Sequence, residues 1–109
     1  MLKKQLLTVL LFSLALASGV CLAGSDAPTG DAAAGEAKAA GCIGCHGADG
    51  GGQGDNPPIN QLSADDHYTA LKGFQSGETG SPMMQMFTKD LSDQDLADIA
   101  EHFASKGGE

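Results

Sequence analysis

Two cysteines and a histidine are the residues of this chain best placed to do chemistry, in the run Cys42-Ile43-Gly44-Cys45-His46. Their spacing is the Cys-x-x-Cys-His pattern of c-type haem attachment. Two thiols one helical turn apart can add to the two vinyl groups of one porphyrin. The adjoining His46 then turns its imidazole under the iron as proximal ligand. Three other chemistries compete for the same residues. A thioredoxin-like redox pair wants a βαβ setting, and no β pattern surrounds this one. A zinc site needs more thiols or paired histidines, and His67 and His102 stand alone on predicted helices. A disulfide between cysteines this close would close a tiny loop and contribute little. One covalent haem c held by Cys42, Cys45 and His46 is the expectation.

Low-spin haem needs a sixth ligand, and Met83, Met84 and Met86 lie just before the last predicted helix. Methionine more often fills a core than binds a metal. At most one of the three can ligate, so at least two are expected to pack. His67 and His102 compete for the position, but lone helical histidines are expected on the surface or in the core. Lys72 and Lys89 are expected to be solvated. His/Met ligation raises the haem potential, which suits an electron carrier rather than an oxygen binder. A peroxidase would need an open distal site, against which the methionine cluster argues, so the expectation is a carrier and not an enzyme.

The elements that must position these residues begin after a leader. Met1 to Ala23 has the form of a cleaved signal peptide, with Lys3 and Lys4, an apolar run from Leu6 to Ala17, and Ala23 before the cut. The apolar run is short for a membrane span of roughly 20 residues. Val20 is bulky for acylation of Cys21. The chain is therefore expected in the periplasm with no membrane insertion after cleavage. Removal of the leader leaves 86 residues, Cys42 and Cys45 as the remaining cysteines, and a net charge of −10 where the whole chain has −8. That acid excess argues against nucleic acid or an anionic membrane surface as the main partner.

What remains is one small domain with fourteen larger apolar residues and fifteen glycines. A chain of this size buries too little surface to be secure alone, so something other than protein must complete the core. Residues 24–30 form a flexible lead-in, and 31–107 the domain. Asp31 is the candidate N-cap of a short Ala-rich helix ending near Gly41, whose alanine face must pack closely on something large and flat. Gly47 to Pro58 is a glycine-rich loop without a phosphate-binding signature. A second helix starts at Ser63, presents Tyr68, Leu71 and Phe74 on one face, and ends at Gly77. A last helix is capped by Ser92 with Asp95 in the capping-box position and a Leu91–Leu96 staple. It buries Leu96, Ile99, Ala100 and Phe103 and stops at Gly107-Gly108. The mature chain has no Val and no alternating run, so the fold is expected to be all-α.

The residues resemble a class I cytochrome c over about Asp31 to Lys106. The matching stretches are AAGCIGCHG, NPPINQL, LKGFQSGE, the methionine cluster and LSDQDLADIAEHFAS. The resemblance implies a small helical fold around one covalent haem. It places the axial methionine about seven residues before the Leu-Ser of the last helix, which is Met84. It also implies that the carbonyl of Pro57 or Pro58 accepts a hydrogen bond from His46. A narrower resemblance, through PPINQL, GFQSGE and Glu78, is to the haem subunit of flavocytochrome c sulfide dehydrogenase. That implies a flavoprotein partner, although many such subunits carry two haems and this chain has one attachment motif. The alternative is a free c4/c553-type shuttle between respiratory or photosynthetic complexes.

Overall fold

A computed structural model describes residues 27–107. The leader, residues 24–26 of the lead-in, and residues 108–109 lie outside the described residues. Five helices follow in order: α1 Ala32–Lys38, α2 Ala40–His46, α3 Ala64–Ser76, α4 Pro82–Thr88 and α5 Asp93–Ala104. Among the described residues there is no strand, only an isolated bridge between Gln53 and Asn56 in the loop. The fold is all-α, as expected. No helix among the described residues is long and apolar enough to cross a membrane.

The Asp31 side chain caps α1 by accepting from the backbone N–H of Ala33 and Ala34 at 2.9 and 3.2 Å. One helix ending near Gly41 was expected, and the chain does otherwise. It turns at the fully buried Ala39 and continues as α2, so the Cys-x-x-Cys-His run is itself helical. Gly41 and Gly44 carry no stop signal of their own, because glycine is tolerated in a helix at modest cost. Termination comes at Gly47, whose φ of 96° and ψ of 154° suit a residue without a Cβ.

Helix α3 begins at Ser63, whose hydroxyl accepts from Asp66 N–H, and ends at a left-handed Gly77. Helix α5 has the reciprocal capping box: Asp95 N–H donates to Ser92 Oγ and Ser92 N–H donates to Asp95 Oδ2, each at 3.0 Å. Helix α4 was not anticipated. Its signal is Ser81-Pro82, an N-cap serine followed by a proline at the first helical position, where a missing N–H costs nothing.

The core is built by Ala39, Tyr68, Leu71, Leu96, Ala97, Ile99, Ala100 and Phe103, at the meeting of α1, α3 and α5. The close face of α1 is glycine rather than alanine. Gly35 is buried against the backbone of Asp98, and a Cβ there would overlap the Asp98 carbonyl. Polar groups lock the same crossing. The buried Asp98 carboxylate accepts from Lys38 Nζ at 2.6 Å and from Gln94 Nε2 and the Asp31 N–H at 2.8 Å. Lys38 first, then Gln94 and the Asp31 amide, holds this carboxyl below the usual carboxylate range.

Candidate haem site

Helix α2 carries the attachment motif. Cys42 is half-buried and Cys45 exposed, both thiols are free, and they sit three residues apart on the face that meets a cavity. Burial first, and the neighbouring Cys45 second, pushes the Cys42 thiol up. His46 is buried at the end of α2. Its Nδ1 lies 2.7 Å from the Pro57 carbonyl oxygen, so Nδ1–H donates and the Nε2 lone pair is left for a metal. Of the two prolines expected near His46, Pro57 supplies the carbonyl.

The loop is shaped to return Pro57 to this position. Gly52 N–H donates to the His46 carbonyl at 2.7 Å, and Ile59 N–H to the Gly50 carbonyl at 2.7 Å. Gly52 has φ of 99°, and a Cβ on it would press on Pro58 N and Asn56 O at 3.1 and 3.3 Å. A side chain there would force the proline segment outward.

The cavity measures about 490 Å³, within the range of roughly 300–1,000 Å³ usual for cofactor pockets. Cys42, Cys45 and His46 line it from α2, and Pro57, Pro58, Ile59 and Leu62 from the loop. His67, Ala70, Leu71 and Phe74 line it from α3, and Met83, Met84 and Phe87 from α4. The walls are almost wholly apolar, which fits the faces of a porphyrin. Met83 and Met84 both reach this lining and Met86 does not. Met83 and Met86 are 60% and 65% exposed, whereas Met84 is half-buried and packs against the core.

His67 is the residue that sequence reasoning undervalued. It was expected on the surface or in the core, and it stands buried on the cavity wall with Nδ1 lacking any hydrogen-bond partner. Burial first, and the charge of His46 second, lowers its pKa to about 4, so the ring is neutral near pH 7. The available signal was its place with Ala70, Leu71 and Phe74 at helical spacing. His102 is buried edge-on against Phe103, ring centroids 5.0 Å apart, and does not line the cavity. Lys72 and Lys89 are paired at the surface with Asp93 and Asp90, at 2.7 and 2.9 Å. Among the described residues no three His, Cys, Asp or Glu side chains gather as a metal site of their own would require.

A helical domain with two thiols and a prepared imidazole on the wall of an apolar cavity has the donor set of a c-type haem protein. The family model described as Cytochrome c matches residues 32–106, and the chain belongs to that family. Its cofactor is covalently attached haem c. The chain is 45% identical over 100 residues to cytochrome c4 of Pseudomonas aeruginosa, covering 89% of this chain and 48% of that one. It is 37% identical over 81 residues to cytochrome c-554(548) of Halomonas halodenitrificans, covering 71% of this chain and 98% of that one. It is 34% identical over 71 residues to the cytochrome subunit of sulfide dehydrogenase of Chlorobaculum tepidum, covering 65% and 64%. The chain spans about half the length of the cytochromes c4 that it matches.

Proposed function

We propose that this protein is a one-electron carrier, not an enzyme, working in the periplasm after cleavage of the leader Met1–Ala23, with His46 and Met84 as the axial ligands of its haem. The observation that carries the reading is the apolar cavity lined by Cys42, Cys45, His46 and Met84, with His46 Nδ1 committed to the Pro57 carbonyl. Haem, when bound, supplies a one-electron iron couple. The chain does the rest. Cys42 and Cys45 would anchor the ring, Pro57 orients His46 and raises its basicity, and the apolar side chains of α3 and α4 would shield the site from water. Met84, half-buried beside two exposed methionines, is the sulfur whose surroundings suit a fixed ligand.

The carrier reading is supported by the cytochromes c4 and c-554(548), the second of which this chain covers almost entirely. A second reading makes the chain the haem subunit of a flavoprotein sulfide dehydrogenase. The resemblance to a cytochrome subunit of that name and the GFQSGE segment favour it. Salt separates the two, since a shuttle docks through screened rim charges and a permanent subunit buries an apolar patch. Size exclusion of native extract at low and high salt, followed by sulfide addition, is the experiment. A flavin-free haem protein of monomer size, unaffected by sulfide at either salt, is the result expected of a shuttle. Coelution with flavin at both salts, with sulfide reducing the haem only in that fraction, would establish the subunit. Loss of the haem on acid-acetone extraction would overturn both.

A further inference from the structure

Helix α4 is seven residues long, too short to persist unaided, and Thr88 is its single buried residue. Beside the packing of Met84 on the core, polar bonds fix it. Gln75, on α3, spreads its amide across the joint between α4 and α5. Its Nε2 donates to the carbonyls of Thr88 and Leu91, each at 2.8 Å. Its Oε1 accepts from Lys72 Nζ at 3.3 Å, and the same ammonium pairs with Asp93 Oδ1 at 2.7 Å. The two carbonyl acceptors on one side and the ammonium on the other leave the amide a single sensible orientation. Thr88 passes the restraint on, because its Oγ1 donates to the Met84 carbonyl at 2.8 Å.

We infer that Gln75 is a positioning residue that clamps the end of α4 and, through Thr88, holds the Met84 backbone at the depth its sulfur needs to stay on the iron. The inference deepens the His46/Met84 reading and rests on it. A carboxylate at position 75 would keep the size and the Lys72 contact but turn an oxygen toward two carbonyls. A leucine would keep volume and lose every polar bond. Both variants release the joint without emptying the core, since Gln75 is only half-buried.

The test uses the oxidised holoprotein of wild type, Gln75→Glu, Gln75→Leu and Met84→Ala. Three quantities are measured: the sulfur-to-iron charge-transfer band, the rate at which imidazole enters the sixth position, and the guanidinium midpoint. In wild type, imidazole entry waits on release of the Met84 sulfur. Both Gln75 variants should admit imidazole about tenfold faster, the order set by losing a part-buried hydrogen-bonded pairing, and the band should fade at a lower temperature. A role confined to stability would move the midpoint and leave the entry rate alone. Entry within twofold of wild type in Gln75→Glu would overturn the inference, whether or not Gln75→Leu folds. A band that survives in Met84→Ala would instead overturn the ligand assignment, and this inference with it.

Discussion

Three methionines within four positions have different surroundings, and those surroundings favour Met84 as the proposed ligand. Met84 is half-buried, lines the cavity and has both backbone polar groups fixed, its N–H to Ser81 Oγ and its carbonyl by Thr88. Met83 reaches the cavity from an exposed position, and Met86 does not reach it. Met84→Ala should therefore turn the ferric spectrum high-spin, abolish the sulfur-to-iron band and lower the potential, while Met83→Ala and Met86→Ala keep all three. A band lost in Met83→Ala and kept in Met84→Ala would reassign the ligand. His67 gives a second expectation. Its folded pKa, about 4, lies below the ordinary 6.5, so the unfolded chain binds the proton first. His67 thus contributes stability that is intact above pH 6.5 and is lost as pH falls toward 4. Guanidinium midpoints of the holoprotein across that range should fall more steeply for wild type than for His67→Leu, and parallel curves would refute it. Cys42, Cys45 and His46 were legible as one group in the sequence because their spacing is itself the proposed chemistry, and the structure brings them to one cavity wall. His67 was legible only as a possible core residue, because its helical spacing with Leu71 and Phe74 marks a buried face without showing that this face lines a cavity.

Helices were legible where their stop and start signals are local. Ser63, Gly77, Ser92 and Asp95 each act within one turn, and each acts as expected. The break at Ala39 was not legible, because an alanine between alanines carries no signal. What bends the chain there is the burial of Ala39 in the core and the close approach of α1 to α5. Helix α4 was overlooked because its four apolar side chains are left mostly exposed, so no amphipathic pattern advertises it. The α1–α5 crossing permits a test by sign. A Cβ at Gly35 would meet the Asp98 backbone, whereas one at Gly44, exposed on α2 and off the cavity wall, meets nothing within 4 Å. Gly35→Ala should cost about 1–3 kcal/mol through overpacking. Gly44→Ala should be neutral or gain up to about 1 kcal/mol from helix propensity. Denaturant midpoints of the two holoproteins measure this, and equal effects would show that the helices part without strain.

Taken whole, the molecule has a packed side and an open side. Eight buried apolar residues join α1, α3 and α5, while Met83, Met86 and Phe87 stand exposed on α4, Ile43 on α2, and Leu62 just before α3. Between them is the cavity of about 490 Å³. At about 24 cal/mol per Å³, an empty cavity of that size would cost roughly 12 kcal/mol, a ceiling because water can enter an open one. Even half of that rivals the roughly 5–15 kcal/mol that holds a domain together. Fifteen glycines in the mature chain raise the entropy lost on folding. The acid excess, −8 over the full chain, adds self-repulsion in any compact state. Haem held by Cys42 and Cys45, as proposed, would fill this space and join α2 to the rest of the lining. The Cys42→Ser/Cys45→Ser chain, prepared without haem, should therefore show little of the helical circular dichroism of the holoprotein and no cooperative thermal transition. Adding salt to screen the carboxylates should recover only part of it, because charge is the smaller of the two deficits. Native helix content without haem would mean that α3 and α5 close over the cavity by themselves. The deficient core would then be an error of accounting rather than the reason the cofactor is needed.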